Sequence, residues 1–94
     1  KSSDFDNGWV KFPNKLILQW GTSPVGYRMT TRINFQKEFP NKCLVVIGSD
    51  TGTWSGHKGS ECDVSFHSYD KKGFFMTGLD NDFNYYHNWL AIGY

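Results

Sequence analysis

The chain has 94 residues, which is enough for one domain with one small core and too few for two. Its net charge is +1 and its lysines and arginines are dispersed along the sequence, which argues against a nucleic-acid-binding surface and against a polybasic membrane patch. No apolar run approaches the roughly 20 residues that a membrane span needs, and nothing near Lys1 has the pattern of a signal peptide.

Aromatic residues are abundant for a chain of this size. They make up 18% of the sequence and include four tryptophans, whereas alanine occurs only at Ala91. A thin interior does not hold so many large rings. We therefore expect some of the rings to be exposed for binding or buried between copies of the chain.

Short strand-like segments recur from one end of the chain to the other, separated by turn residues, and no segment has helical periodicity. Seven such segments predict an all-β fold, a small antiparallel β-sandwich or barrel-like knob. The segment 16–20 is apolar almost throughout, so we expect both of its faces to be covered. The predicted strands are 9–12, 16–20, 29–35, 43–47, 62–67, 74–77 and 86–94.

The last nine residues alternate with period two, as a strand does. Trp89 and Ala91 fall on one face, and Leu90 and Ile92 fall on the other. Chain ends are usually frayed and polar, so we expect an end this apolar to pack against its own domain or against a second copy. The polar start of the sequence predicts a cut into a longer chain.

Turn-forming residues separate the predicted strands. The tetrapeptide Phe-Pro-Asn-Lys occurs at 12–15 and again at 39–42, each time before an apolar strand, and we interpret it as one turn chemistry used twice. The segment from Asp70 to Gly73 is typical of a hairpin connection in which Gly73 takes a positive φ. Cys43 and Cys62 each start an apolar strand pattern, which favours two buried free thiols over a disulfide.

Three longer loops are predicted at 21–28, 48–61 and 78–85. If successive strands alternate in direction, these loops collect at one end of the domain, which is typical of a binding face on a rigid scaffold. Residue 8 then enters at the same end, so a preceding shaft would have to run past the loops.

Four segments carry a family resemblance: GWVKFPNKLILQWG at 8–21, FPNKCL at 39–44, GF at 73–74 and WLAIGY at 89–94. In these segments, which span nearly the whole chain, the sequence resembles the C-terminal tip domain of tail fibres from tailed bacteriophages and prophages. The resemblance implies an all-β knob at residues 9–94, with 1–8 as the end of the fibre shaft or a linker.

The same resemblance implies a homotrimer at the distal end of the tail fibre in the virion, synthesised in the cytoplasm of the bacterial host. It implies binding to the host cell surface, to a lipopolysaccharide glycan or an outer-membrane protein. Residues 48–70 depart from the family pattern, so the resemblance transfers no binding residue to this chain.

Candidate receptor-binding residues come instead from the loops. Trp54 lies between two glycines and is able to stack on a sugar ring, with His57 and Lys58 beside it as hydrogen-bonding groups, or to fold back as a lid over the core. A second polar group is able to hold a polar ligand or a hard cation, or to form a solvated turn. Its members are Asp80 and Asp82, with Asn81 and Asn84 nearby, and Tyr85 beside them is a further candidate receptor-binding residue.

The histidine spacing requires no zinc site. His67 is predicted to be an outward strand residue, and three copies of His87 meeting near a trimer axis are a further hypothesis for an ion site. The sequence predicts neither a catalytic centre nor a cofactor or metal, and neither nucleic-acid binding nor membrane insertion. The main prediction is a host-binding fibre tip; the alternatives are a structural trimerisation cap and a surface-polysaccharide depolymerase.

Overall fold

A computed structural model describes residues 7–26, 28–50, 64–78 and 86–94. These residues form seven strands and no helix, so none that could cross a membrane, and the predicted all-β fold is confirmed. The strands are β1 Gly8–Lys11, β2 Ile17–Pro24, β3 Thr30–Asn34, β4 Cys43–Asp50, β5 Val64–His67, β6 Gly73–Gly78 and β7 Tyr86–Gly93.

The strands form two antiparallel sheets. One has four strands in the order β1-β2-β7-β4, and the other has three in the order β3-β6-β5. The last strand, β7, lies between β2 and β4, so both of its edges are paired, and one of its faces packs inward, in agreement with its predicted alternation.

The sheets pack face to face through aromatic rings. Phe74 of β6 meets Trp89 of β7 edge-on, with ring centroids 5.0 Å apart, and Phe35 lies 5.6 Å from Phe74 and 5.9 Å from Trp89. Interlocked rings fill a core that is too small for several layers of aliphatic side chains. The buried apolar residues are Ile17, Val25, Phe35, Phe39, Cys43, Val46, Phe74, Met76, Trp89 and Ala91.

β2 and β4 are longer than the sequence predicts, because Gly21 and Gly48, which the sequence places at the start of loops, lie inside strands. A Cβ atom at Gly21 would be 2.4 Å from Trp89 Cζ2, and one at Gly48 would be 2.5 Å from the Phe66 ring. The two glycines therefore let rings lie directly on the sheet. The first residues of the predicted loops at 21–28 and 48–61 therefore belong to β2 and β4.

The repeated tetrapeptide adopts two different structures, so the interpretation as one turn used twice is wrong. At 12–15 it closes the β1–β2 hairpin as a turn: the Lys15 N–H donates to the Phe12 carbonyl at 2.9 Å, and Lys15 has a φ of 78°. Phe12 is 45% exposed there.

At 39–42 the same four residues carry the chain from one sheet to the other. The Phe39 N–H donates to the Lys71 carbonyl at 2.8 Å, and the Lys42 N–H donates to the Tyr94 carbonyl at 2.7 Å. Phe39 is fully buried. Long-range hydrogen bonds and a place in the core therefore override the local turn preference of proline.

The turn between β5 and β6 lies where it was predicted, but its positive φ does not. Ser68 has a φ of 53°, whereas Gly73 has no positive φ and begins β6. The Asp70 carboxylate accepts the Lys72 N–H at 2.7 Å and the Gly73 N–H at 3.0 Å. Side-chain capping by Asp70 therefore closes this turn without a left-handed glycine.

Two polar side chains are fully buried on the inner face of the four-stranded sheet. The Gln19 side chain donates to the Lys37 carbonyl at 2.6 Å and accepts the Lys37 N–H at 3.1 Å. His87 lies on the same inner face. Burial within a single chain contradicts the hypothesis of three His87 rings gathered around an axis. Cys43 is a buried free thiol, as predicted, and Cys62 lies outside the described residues.

Candidate functional site

All the residues that the sequence singles out for receptor binding lie outside the described residues, so their role stays a prediction. They are Trp54, His57, Lys58, Asp80, Asn81, Asp82 and Tyr85. The strand ends that flank these residues are described. β4 ends at Asp50 and β7 begins at Tyr86, next to the end of β2 at Pro24. We call this the loop end of the four-stranded sheet.

The opposite end carries tight turns. Lys11, Ile17, Gly93 and Cys43 stand side by side there, one on each strand. The turn 68–72 joins this end because Phe39, whose ring packs under Gly93, donates its N–H to the Lys71 carbonyl. We call Lys11, the connections 12–16, 39–42 and 68–72, and Tyr94 the turn end.

The chain enters from the loop end. β1 begins at Gly8, opposite Trp20, and runs toward Lys11 at the turn end. The sequence-based strand order therefore placed the entry of residue 8 correctly, on the side of Pro24, Asp50 and Tyr86.

The outer face of the four-stranded sheet is apolar across its width. Leu18 pairs with Ile92, and Trp20 pairs with Leu90, which in turn pairs with Ile47 of the edge strand β4. All of these positions alternate with the inward-facing ones. We call this surface the apolar face; its residues are Val10, Leu18, Trp20, Val45, Ile47, Leu90 and Ile92.

The apolar face is open in the single chain. Ile47 is 55% exposed, and a depression of about 460 Å³ runs beside it, lined by Gly48, Asn88, Trp89 and Leu90. The volume would suit a small ligand, but the lining has few polar groups to orient one. A wide, flat apolar surface of this kind is typical of a protein–protein contact.

The outer face of the three-stranded sheet is polar. The Arg32 guanidinium lies over the Phe75 ring at 5.2 Å, and the His67 ring lies beside the same ring at 6.2 Å. The Thr77 hydroxyl is hydrogen bonded to Thr30 at 2.9 Å and to His67 Nε2 at 2.7 Å. His67 is thus an outward strand residue, as predicted. The two outer faces therefore differ in chemistry.

Lysines that are dispersed in the sequence come together at the turn end. All five are exposed: Lys11, Lys15, Lys42, Lys71 and Lys72. Within the part of the chain that the structure describes, none of the five forms an ion pair; the ion pair found there joins Arg32 to Asp70 at 3.1 Å. Sequence reasoning missed this cluster. The strand order is the signal that could have found it. In an up-and-down fold alternate connections lie at the same end, and all five lysines fall in or beside the β1–β2, β3–β4 and β5–β6 connections.

Among the residues that the structure describes, two ionisable groups have shifted pKa values. Hydrogen bonds from Arg32, from the backbone N–H of Lys72 and from that of Gly73 lower the pKa of Asp70 to about 2. Burial raises the pKa of the Cys43 thiol to about 11. Asp70 therefore holds its turn as a carboxylate over a wide pH range, and Cys43 stays protonated in the core.

The chain is similar in sequence to known proteins. A family model for the C-terminal region of gp53-like tail fiber protein matches residues 11–94. Uncharacterized protein MJ0347 of Methanocaldococcus jannaschii is 35% identical over 98 residues, which cover 95% of this chain and 64% of that protein. The chain therefore spans less than two thirds of this curated relative.

Solved structures with the same fold include two pyocin tail fibers of P. aeruginosa. The R2-type fiber superposes with a TM-score of 0.83 and 22% identity, over 100% of this chain and 37% of that one. The R1-type fiber superposes with a TM-score of 0.79 and 27% identity, over 100% of this chain and 84% of that one. The two-sheet sandwich is therefore shared with tail-fibre domains.

Proposed function

This chain belongs to the family of gp53-like tail fiber C-terminal domains, and on that premise we propose that it is the host-binding tip of a phage-type tail fibre. The match over residues 11–94 carries the proposal, because it includes the whole described sandwich from the end of β1 onward. The fold supplies rigid strands, and the connections between them are free to make contacts with a cell surface.

We further propose that the domain assembles as a homotrimer through the apolar face. Trp20, Leu90 and Ile47 form a row across three strands with no charged residue between them. Burying such a row between copies of the chain removes apolar surface from water, at about 25 cal/mol per Å². Cyclic association of identical subunits gives each copy the same contact.

The oligomeric state tests this assembly. Ile47→Lys places a charge on the apolar face, at the end of the row that β4 completes, and we expect it to convert the trimer into monomers in multi-angle light scattering. Thr30→Lys is the matched control, because Thr30 is exposed on the polar outer face of the other sheet. A wild-type domain that is monomeric at micromolar concentration, or an Ile47→Lys variant that stays trimeric, would contradict the proposed interface.

Cell adsorption tests the host-binding role. We expect the isolated, labelled trimer to bind susceptible bacteria and to compete with the intact fibre. A purely structural trimerisation cap, which the apolar face also supports, would assemble normally and leave the cells unlabelled. Because several copies act together, weak single sites suffice for adsorption.

The sequence-predicted loop residues are candidates for part of that contact. If the loops take part in that contact, Trp54→Ala and His57→Ala reduce adsorption and leave the circular dichroism spectrum and the trimer unchanged. Adsorption that is unchanged by both substitutions would remove these two residues from the proposed site.

A further inference from the structure

We propose that the turn end is the host-facing surface of the domain and that it binds a phosphate-bearing surface polysaccharide. This inference rests on the proposed function and names the surface and the ligand class. It differs from the loop-based sites that the sequence suggests, and it follows from chain direction, charge and the rigidity of the turns.

Chain direction points the turn end away from the rest of the fibre. β1 enters at Gly8 from the loop end and runs toward Lys11. A preceding segment that continues in line with β1 therefore lies on the side of Pro24 and Tyr86. The turn end is then the far end of the domain, where a tip first meets a cell.

Positive charge is concentrated at the turn end. Arg32 and Asp70 neutralise each other in their ion pair, and Glu38, which lines one depression with Lys72, offsets one of the five lysines. The turn end therefore has a net charge of +4 (five lysines less Glu38), whereas the whole chain carries +1. Such a concentration of charge attracts an anionic partner to this end and orients the domain as it approaches.

Hydrogen bonds fix the backbone that carries these lysines. Lys15 N–H donates to Phe12, and Lys42 exchanges two backbone hydrogen bonds with Tyr94, at 2.7 and 2.9 Å. The Lys72 N–H is held by Asp70, and the Lys71 carbonyl by Phe39. Because these turns are already ordered, a ligand would have to order only the lysine side chains.

The repeated tetrapeptide gives the turn end a repeated chemistry. Its two copies differ in structure, yet both place an exposed asparagine next to an exposed lysine at this end: Asn14 with Lys15, and Asn41 with Lys42. An ammonium group is a compact partner for a phosphate, and an amide both donates to and accepts from sugar hydroxyls. The same pair occurring twice favours a polymer with repeated anionic groups.

Binding to a defined polysaccharide tests the ligand class. The probe is a phosphomannan, compared with the same mannan after enzymatic dephosphorylation, and binding to the intact trimer is measured by biolayer interferometry in low and high salt. We expect about tenfold or more weaker binding to the dephosphorylated mannan, and weaker binding to phosphomannan at high salt, because exposed charges are screened. Equal binding of the two mannans would overturn the assignment.

A matched pair of double variants tests the surface. Lys15→Gln with Lys42→Gln removes two charges from the turn end, and Arg28→Gln with Lys37→Gln removes two charges from described positions outside it. We expect the first to weaken phosphomannan binding about fivefold to tenfold and to reduce cell adsorption, and the second to change both by less than about twofold. Circular dichroism and light scattering confirm that both variants fold and assemble.

The failures of the two proposals are distinguishable. If the turn-end variant adsorbs like the wild type while Trp54→Ala does not, the turn-end inference is wrong and the host-binding function stands. If the wild-type trimer adsorbs to no strain in a susceptible panel, the host-binding function itself is wrong. Double-stranded DNA that competes as well as phosphomannan would show a general polyanion surface and would overturn the glycan assignment.

Discussion

Gln19 has a structural role that the apolar residues around it in the sequence do not indicate. It sits in the apolar segment 16–20 and is fully buried, yet both ends of its amide are hydrogen bonded to the backbone of Lys37. A buried polar group without such partners lowers the free energy of unfolding by about 1–3 kcal/mol. The two hydrogen bonds to Lys37 therefore allow the Gln19 amide to be buried in the core. It also ties the connection after β3 to the four-stranded sheet.

Cys43 gives a prediction about reactivity. Because burial raises the pKa of its thiol to about 11, the thiolate that reacts with alkylating reagents is scarce in the folded protein at pH 8. We expect Cys43 to resist iodoacetamide in the native state and to react rapidly in denaturant, as followed by peptide mass spectrometry. Rapid native labelling at Cys43 would show that the start of β4 opens readily.

At the scale of elements, the two copies of Phe-Pro-Asn-Lys show how far context decides structure. One forms a local turn and exposes its phenylalanine, and the other bridges the two sheets and buries its own. The difference arises from the surroundings of each copy. The first connects β1 and β2, which pair with each other, whereas the second packs its phenylalanine ring against Gly93 at the end of β7.

Substituting the two phenylalanines separately tests this difference. Phe39→Ala leaves a cavity in the core, and we expect it to lower the free energy of unfolding by about 3–5 kcal/mol. Phe12→Ala is the matched control in the same tetrapeptide, and we expect a loss within about 1 kcal/mol. Guanidinium denaturation at one protein concentration compares them. Similar losses for the two variants would contradict the different burial of the two side chains.

The turn between β5 and β6 gives a prediction about acid. The pKa of Asp70 is about 2 in the folded state and about 3.8 without its partners, so the stability that Asp70 contributes is present above pH 4 and is lost as the pH falls through 2. We expect NMR titration of the Asp70 carboxyl to give a midpoint near 2, rising in Arg32→Gln. A wild-type midpoint near 4 would show that the ion pair is not maintained in solution.

At the scale of the whole molecule, the domain has two chemically different faces and one lysine-rich end. The apolar face runs across the four-stranded sheet, and the polar network of Arg32, His67 and Thr77 covers the other sheet. Lysines collect at the turn end. This division suits a particle that joins identical copies sideways and presents one end to a charged surface.

Thermal unfolding gives a prediction for the assembled molecule. If three copies bury the apolar face together, unfolding is coupled to dissociation, so the Tm rises with protein concentration. We expect such a rise in calorimetry for the wild type, and no rise for Ile47→Lys. A wild-type Tm that is independent of concentration would indicate that each chain folds alone.

The sequence by itself determined the seven strands, the shared face of Trp89 and Ala91 and the entry of the chain at the loop end. Period-two alternation and local turn residues suffice for these features, because each depends on neighbours within a few positions. The family resemblance is likewise carried by short segments of sequence. The binding residues predicted from the loops stay predictions.

Only the tertiary structure decided the roles of the glycines, the tetrapeptide and the lysines. Gly21 and Gly48 continue strands because rings from distant positions lie on them, and Phe39 is buried because β7 closes over it. The lysines that look dispersed meet at one end because alternate connections of an antiparallel sandwich share an end. Each of these features depends on contacts between residues far apart in sequence, and local sequence patterns carry no information about such contacts.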